Sequence, residues 1–562
     1  MNPQKKKGSS SVKTKLPFAA FLLLLCLLLT APALAASRHY TAVSPASGEE
    51  QVISRSNSRG EYLCLPGSWD LSAVLLRDEK LSTILLGQDK LPVQADQPVD
   101  LRPFLGQQTP VYRENGYSLG SIMILQGSPV LSLHFTLDPQ TFSLLCRNKD
   151  KSASEGSLTV LEADGSVSYR GPIARFAGRG NDTFRYVKKP FEFKLPEKIS
   201  PGGIDKGKTW ILLANYMDVS FLRNQISLDL CRAVGLPFSI ECVQADLYIN
   251  GDYQGLYLLA EKIQIGKNRV NITDLEEATE AVNEASPSSY PKYYGKSASV
   301  PLSIGYNIPN DPQDITGGYI AVVEKRYRME SANKPCFRTS RNLNVRIKEP
   351  TCPSRAQVEY FSALVEQMHQ ALLSPDGKDP ASSRHFSEIL DVSSFALKYL
   401  VEDLTMDYDI MAGSQYFYKD SDLVDPLIYA GPGWDYDLTF GAMGENPVKT
   451  YASRVHTVSG NLWPLLAKQD LFMDAVREKW ASVFRPALAV LLGESPAPAG
   501  SPLRSLRDYA AAVESSAAMD ALRRGTSRPT EKYVGKDFSS ALDRLESFLR
   551  TRRETLDSLY GD

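Results

Sequence analysis

Acidic residues near position 430 have the types and spacing that best fit a chemical role. The segment GPGWDYDLTFG at residues 431–441 places Asp435 and Asp437 after an expected β-hairpin and before a glycine turn. The hairpin is predicted by apolar and aromatic strands at 415–419 and 427–430 around a polar turn. Carboxylates in such a turn can hold Mg²⁺ together with substrate phosphates. The ordinary alternative for acidic residues at strand ends is turn formation or surface charge.

A third aspartate, Asp409, lies in the segment DYD at 407–409, after a helix predicted at about 393–405. An aspartate, a hairpin and a second aspartate before Phe-Gly is also the order of the catalytic and magnesium-binding loops of protein kinases. Kinases place a metal-binding asparagine five residues after the first aspartate. This chain has Ser414 there, followed by Gln415, and either could supply an oxygen ligand.

Candidate phosphate contacts lie upstream. The glycine turn GRGNDT at 178–183 contains Arg179 and Asn181, and the alternating strand KKPFEFKL at 188–195 presents Lys194 on its polar face. Backbone amides of glycine turns and lysine side chains both bind phosphates. A surface hairpin with a solvated lysine is the plainer alternative. Glu261 ends a later strand, where it is either a nucleotide contact or a solvated carboxylate.

The N-terminus has the three parts of a secretory signal peptide. Five lysines precede an apolar run at 18–29, and ALA at 33–35 offers a cleavage site, so we expect residues 1–36 to be removed. The run is short for a membrane span and no later segment approaches one. The mature protein is therefore expected to be secreted or at the cell surface, with no transmembrane segment.

Cysteine and charge content restrict the chemistry. Six cysteines remain after Cys26, and an even number suits disulfide bonds in an oxidising compartment. The spacings suggest the pairs Cys64 with Cys146, Cys231 with Cys242, and Cys336 with Cys352, among fifteen possible connectivities. Five histidines and no CxxC motif argue against a zinc site. A net charge of −2 without a basic block argues against nucleic-acid binding.

The 562 residues suffice for two or three domains. Short apolar runs between turn residues predict a small all-β, sandwich-like domain over 37–150. From about residue 155 the pattern is α+β, with an exposed insertion rich in Ser, Pro, Glu and Asn at about 276–312. A C-terminal helical region is expected over 491–562.

Several motifs in register resemble the CotH family of spore-coat kinases over roughly residues 165–490. In chain order they are GN at 180–181, KKPF at 188–191, LRN at 222–224, YINGDYQGLY at 248–257, GGY at 317–319, Asp409 with QYFY at 415–418, and WDYD at 434–437. The resemblance implies an atypical protein-kinase-like fold over 155–490 that binds ATP with Mg²⁺ or Mn²⁺. It also implies phosphorylation of Ser or Thr on exported or surface proteins.

Roles are assigned to individual residues by this resemblance. Asp409 resembles the catalytic aspartate and Asp435 the metal-binding aspartate, with Asp437 as a second acid on the metal. The region of Arg179, Asn181 and Lys194 is expected to meet the phosphates.

Two other functions fit the same residues. One is a surface binding or structural module with the same fold and little or no catalysis. The other is a nucleotide-dependent phosphotransferase that acts on a non-protein acceptor. The presence of both key aspartates favours catalysis over the binding module, and the nature of the acceptor is not written in the sequence.

Overall fold

A computed structural model of the protein describes residues 39–46, 50–57, 60–296, 300–324, 333–409, 413–449 and 462–561. The predicted signal peptide lies outside these residues. Helices make up 30% and strands 28% of the chain, consistent with the α+β content expected from the sequence.

The N-terminal region is all-β, as predicted, and contains two sheets. Its strands are β1 (Tyr40–Val43), β2 (Gln51–Ile53), β3 (Arg55–Asn57), β4 (Gly60–Leu65), β5 (Val74–Asp78), β6 (Thr83–Leu86), β7 (Leu91–Gln94), β8 (Pro98–Val99), β9 (Gln108–Tyr112) and β10 (Ser118–Gln126). The sheet orders are β2-β1-β5-β8 and β3-β4-β10-β9-β6-β7. Trp69, Leu86 and Ile122 belong to a core that these strands share.

A nine-stranded sheet follows, in the order β12-β15-β16-β17-β19-β18-β11-β13-β14. Its strands are β11 (Leu131–Thr136), β12 (Ser152–Ala153), β13 (Ser157–Leu161), β14 (Val167–Pro172), β15 (Arg175–Gly178), β16 (Phe191–Ile199), β17 (Gly207–Leu213), β18 (Cys242–Ile249) and β19 (Asp252–Glu261). Strand β11 lies in the range assigned to the small all-β domain, yet it pairs in parallel with β18. The sheet therefore crosses the boundary drawn at about residue 150, because alternation predicts a strand but not its partner.

The second large sheet has seven strands, in the order β20-β21-β23-β24-β22-β25-β26. They are β20 (Lys292–Gly295), β21 (Leu302–Tyr306), β22 (Tyr319–Val323), β23 (Cys336–Arg338), β24 (Asn344–Glu349), β25 (Gln415–Lys419) and β26 (Ile428–Ala430). The segment 276–312, expected as an exposed insertion, supplies β20 and β21. The polar composition of this segment predicted exposure, but Tyr293 and Ile304 within it are buried.

Helices are concentrated in the C-terminal half. They are α1 (Pro139–Arg147), α2 (Arg223–Ala233), α3 (Leu275–Ala281), α4 (Arg355–Leu373), α5 (Val392–Thr405), α6 (Trp463–Leu466), α7 (Asp470–Lys479), α8 (Arg485–Leu491), α9 (Leu506–Ala511), α10 (Glu514–Arg524), α11 (Glu531–Val534) and α12 (Phe538–Tyr560). Trp480, Leu549 and Leu556 pack into the largest core of the molecule, together with α4 and α5. In the part of the chain that is described, none of these helices has the length and hydropathy needed to span a bilayer.

The disulfide prediction is not borne out. No disulfide bond joins the six cysteines of the described residues, of which five are buried and Cys146 is partly exposed. Cys231, for example, lies inside α2 and contacts the Tyr436 hydroxyl at 3.5 Å. An even cysteine count cannot distinguish bridged pairs from buried thiols, which pack as small apolar side chains.

Candidate active site

Two acidic segments lie side by side because backbone hydrogen bonds join them. The first follows the C-terminus of α5, where Met406 takes a left-handed conformation (φ 50°) and ends the helix. The second follows β26. The Tyr408 amide donates to the Leu438 carbonyl at 3.2 Å, and the Phe440 amide donates to the Thr405 carbonyl at 2.6 Å. These bonds bring Asp407 and Asp409 next to Asp435 and Asp437.

Asp435 occupies the turn between the hairpin and a short 3₁₀ helix, Tyr436–Leu438. Its backbone is left-handed (φ 72°, ψ 49°), a conformation that aspartate tolerates better than most residues. The Ser414 hydroxyl donates to Asp435 Oδ2 at 3.2 Å. The structure thus brings together two of the residues predicted to hold the metal.

Burial and mutual repulsion raise the pKa values of two carboxylates in this cluster. Burial raises the pKa of Asp437 well above its usual value, and the negative charges of Asp435, Asp409 and Asp218 raise it further. Burial also raises the pKa of Asp407, followed by the charges of Glu402 and Asp409. A concentration of negative charge that is costly by itself is a favourable place for a cation.

Arg179 is the cation that faces this cluster from the nine-stranded sheet. Burial lowers the pKa of its guanidinium, while the neighbouring Asp435 carboxylate opposes that shift. The guanidinium lies over the ring of Trp434, with Cζ at 5.3 Å from the ring centre. The Arg179 amide also donates to the Pro190 carbonyl at 3.1 Å, which holds the end of β15 in place.

Other predicted nucleotide contacts have different partners. Asn181 is exposed and accepts a hydrogen bond from Lys149 at 3.3 Å. Lys194 is exposed in β16, opposite Arg175 and Thr209. Neither contact places these side chains at the acidic cluster, so their assignment to phosphate stays a prediction.

Glu261 and Gln415 are both buried. Glu261 forms an ion pair with Arg269 and accepts a hydrogen bond from the Glu241 amide at 3.0 Å. Burial raises its pKa to about 7. These contacts fit a structural role at the end of β19. Gln415 begins β25, opposite Val323.

A buried ion pair fixes the far side of the acidic loop. Arg223 pairs with Asp218, and its Nε donates to the Thr439 carbonyl at 3.1 Å. The adjacent Asn224 accepts a hydrogen bond from the Tyr436 amide at 2.9 Å. Both side chains come from the first turn of α2, so this helix sets the path of the loop that carries Asp435 and Asp437.

The Tyr436 side chain joins the acidic loop to helix α5. Its hydroxyl accepts a hydrogen bond from Lys398 Nζ at 2.8 Å and donates to Glu402 Oε1 at 3.0 Å. Lys398 and Glu402 form a buried ion pair one turn apart on α5. The helix that delivers Asp407 and Asp409 is therefore also bonded to the loop that carries Asp435.

Gly433 is required by close packing at the same place. A Cβ atom at this position would lie 2.6 Å from Cys231 Sγ and 2.7 Å from the Tyr436 hydroxyl. Real Cβ atoms essentially never approach so closely, and each of these neighbours is held within the core.

The donor set fits a divalent cation shared with a ligand. Among the described residues, no group of three or more His, Cys, Asp or Glu side chains is arranged to hold a metal on its own. Mg²⁺ in phosphotransferases is commonly held by one or two carboxylates together with substrate phosphates and water. Asp435 and Asp437, whose charges repel each other, satisfy that requirement.

Several residues of the site escaped sequence reasoning. Asp218 and Glu402 are more than 30 residues from Asp435, and their neighbours in the sequence are typical of an ordinary turn and helix. Arg223 belongs to the LRN motif, which gave it no role. Asn224 stood within the LRN motif, but no role followed from the motif alone. The two WDYD aromatics, Trp434 and Tyr436, could have been suspected because each adjoins Asp435.

Comparison with known families gives one result. A family model described as CotH kinase protein matches residues 176–556, which is more than half of the chain. The match begins in β15, extends through both acidic segments and includes the helices as far as α12. No curated protein matches the chain.

Proposed function

The chain belongs to the CotH kinase family, and from this premise we propose that it is an exported atypical kinase. In this proposal the protein transfers the γ-phosphoryl group of ATP to Ser or Thr hydroxyls of secreted or surface proteins. The observation that carries the proposal is the convergence of Asp409, Asp435 and Asp437 with Arg179 at one place. In that combination Asp409 can accept the proton of a substrate hydroxyl, Asp435 and Asp437 can bind a metal ion, and Arg179 can bind phosphate.

Positioning and charge neutralisation account for most of the catalysis of phosphoryl transfer. Arg179 would bind the phosphates because its guanidinium already faces Asp435 and is held over Trp434. Asp435 and Asp437 would hold Mg²⁺ or Mn²⁺, which neutralises phosphate charge when bound. Ser414, by donating to Asp435, keeps that carboxylate oriented.

Asp409 is assigned to the acceptor hydroxyl. It is partly exposed, whereas Asp407 is fully buried. The Asp409 amide donates to Asp407 Oδ1 at 3.0 Å, which fixes the backbone from which the Asp409 side chain projects. Asp409 orients the hydroxyl and accepts its proton as the new O–P bond forms and the bond to the leaving ADP breaks.

Asp409→Asn tests the proposal. We expect this variant to bind Mg-ATP nearly as well as the parent but to transfer phosphate on the order of 10² to 10⁴ times more slowly, since it loses a positioned base. Binding is measured by calorimetry with a non-hydrolysable ATP analogue. Transfer is measured with labelled ATP and Mg²⁺ or Mn²⁺, followed by mass spectrometry of the protein and of co-exported proteins.

Asp474→Asn is the matched control, because this side chain is 71% exposed on α7. It should leave both measurements unchanged. Nucleotide binding without transfer to any acceptor would favour a binding module. Transfer only to glycans or small molecules would overturn the protein-kinase assignment.

Export is proposed from the N-terminal residues alone. Expression with residues 1–36 in a secreting host should yield extracellular protein that begins near residue 36 or 37. Intact residues 1–36 on protein retained in the cell would contradict it.

A further inference from the structure

One face of the seven-stranded sheet carries a group of cations. In β24, Val345 and Ile347 are buried in the largest core, so Arg346 and Lys348 point to the opposite face of the sheet. Both of these charged side chains are partly exposed. Residues 333–348, which include β23 and most of β24, contain five Lys or Arg and no Asp or Glu. The β23–β24 hairpin is therefore strongly basic.

The same face of the sheet continues to the candidate active site. Val322 of β22 is paired with Arg346 on one side and with Tyr416 of β25 on the other. Side chains of paired residues point to the same face, so Arg346 and Tyr416 share it, with their backbones roughly 10 Å apart. Burial and the Asp435 carboxylate raise the pKa of Tyr416 to about 12, and the charge of Arg346 opposes that rise. Arg346 and the acidic loop thus have Tyr416 as a common neighbour.

These cations have few anionic partners. The Lys348 ammonium group forms no hydrogen bond or ion pair with the residues that the structure describes. Burial lowers the pKa of Lys348 to about 8, and the charge of Arg346 lowers it further. The charges of Glu324 and Glu349 oppose that shift, but Glu324 is 3.8 Å from Arg346. Burial and the charge of Arg346 also lower the pKa of Lys334. Cations that repel one another in this way form a favourable place for an anion.

We propose that Arg346 and Lys348 bind acidic side chains of the acceptor protein, an inference that rests on the proposed kinase function. Guanidinium and ammonium groups both pair with carboxylates. An extended chain covers about 3.3 Å per residue, so three or four residues span the roughly 10 Å between Tyr416 and β24. An acceptor segment whose hydroxyl lies at Asp409 can therefore place an Asp or Glu a few positions away at these two cations.

A degenerate peptide library with one Ser or Thr per peptide tests this proposal. With labelled ATP and Mg²⁺, the parent should favour peptides that carry Asp or Glu within about five residues of the hydroxyl. The double variant Arg346→Gln with Lys348→Gln should raise the KM for the favoured acidic peptide about tenfold, because two partly exposed ion pairs are lost. Its kcat and its affinity for Mg-ATP should match those of the parent, since neither side chain is assigned to the nucleotide.

Lys348→Glu gives a readout that a merely structural role would not move. The reversed charge should change the preference near the hydroxyl from Asp or Glu to Lys or Arg. Lys80→Gln is the matched control, because Lys80 is exposed between β5 and β6, and it should keep the KM of the parent. If thermal unfolding shows that the double variant does not fold, Lys348→Gln alone decides, because it removes no described ion pair.

The possible failures are distinguishable. Transfer by the parent without an acidic preference, or an unchanged KM in the double variant, would refute the docking surface and leave the kinase function standing. A lowered affinity of the double variant for Mg-ATP would assign the cations to the nucleotide instead. If the parent transfers phosphate to no peptide and no protein, the kinase function fails and this inference fails with it.

Discussion

Asp435 is the residue on which the proposed chemistry most depends. Three features meet there: the left-handed turn, the hydrogen bond from Ser414, and the nearby charge of Arg179. An asparagine fits the same turn and keeps an oxygen, but it lacks the charge that a divalent cation requires. Replacing Asp435 with asparagine therefore tests metal affinity without disturbing the fold of the loop.

Asp435→Asn should fold like the parent and lose metal-dependent nucleotide binding. Calorimetry with an ATP analogue and Mg²⁺ measures the binding, and thermal unfolding checks the fold. Asp474→Asn, on the exposed face of α7, is expected to behave as the parent in both. Unchanged affinity for Mg-ATP in Asp435→Asn would remove this residue from the metal assignment.

Gly433→Ala should destabilise the same loop. The added methyl group would lie 2.6 Å from Cys231 Sγ, so either α2 or the loop must shift. Overpacking of this kind costs about 1 to 3 kcal/mol of unfolding free energy. Urea unfolding measures the loss. Gly295→Ala provides the control, since a Cβ there would lie more than 4 Å from every atom of the described residues outside its chain neighbours. Equal stability of both variants would contradict the close packing.

The acidic segments could be singled out from the sequence because each is recognisable from its neighbours in the chain, while the roles of their aspartates stay predictions. Asp409, Asp435 and Asp437 each adjoin a recognisable helix end or hairpin, and the structure brings their segments together. Arg179, Asp218 and the Tyr436 anchor depend on contacts between distant segments. The sequence does not show that these residues lie close together, because their proximity depends on how the strands pair.

At the scale of elements, the residues at the start of helix α2 connect β18 to the acidic loop. Gln244 of β18 and Asn215 both donate to the Phe221 carbonyl, at 3.1 and 3.2 Å. Asn215 accepts a hydrogen bond from Asn224 at 2.9 Å, and Asn224 accepts one from the Tyr436 amide. The first turn of α2 is thus the part of the fold that sets the geometry of the candidate active site.

Asn224→Ala should leave the Tyr436 amide without its acceptor. A buried donor in this state costs about 1 to 3 kcal/mol, and the displaced loop should also lower the rate of phosphate transfer. Asn224→Asp restores an acceptor and should recover part of both. Unfolding and transfer assays on the three proteins measure this. If the alanine and aspartate variants behave alike, the hydrogen bond to Tyr436 is not what the loop requires.

The element boundaries also indicate where local patterns fail. The helix at about 393–405 was predicted to have Ser393 as its N-cap, whereas Asp391 caps α5 by accepting from the Ser394 amide at 2.6 Å. Both residue types are good caps, and only the path of the preceding chain selects between them. Strands β20 and β21 were missed for a related reason. β20 pairs with β21, and β21 joins the sheet by pairing with β23, a partner that the local composition does not indicate.

On the scale of the whole molecule, the C-terminal helices pack against the elements that carry the candidate active site. Arg552 of α12 donates from Nε to the Asp403 carbonyl at 3.0 Å and pairs with its carboxylate at 2.5 Å, which joins α12 to the helix before Asp407. Helix α10 is joined to the nine-stranded sheet by Asp520, which accepts a hydrogen bond from the Leu256 amide of β19 at 3.0 Å and pairs with Lys188, just before β16, at 2.6 Å. The sequence predicted a C-terminal helical region over 491–562, but the pattern of an amphipathic helix does not reveal which elements it packs against.

Asp246 of β18, which contacts Ser516 of α10, should make the stability of the protein depend on pH. Asp246 accepts hydrogen bonds from Ser516 at 2.7 Å and Tyr253 at 2.8 Å, and burial raises its pKa to about 7. A raised pKa means that the folded state binds the proton more tightly, so this stabilisation is present at low pH and lost as pH rises through about 7. Asp246→Asn removes that dependence. Between pH 5 and pH 8, the unfolding free energy of Asp246→Asn, measured by urea unfolding, should therefore rise relative to that of the parent by on the order of 3 kcal/mol. Asp474→Asn, being exposed, should keep a constant difference from the parent, and a constant difference for Asp246→Asn would refute the raised pKa.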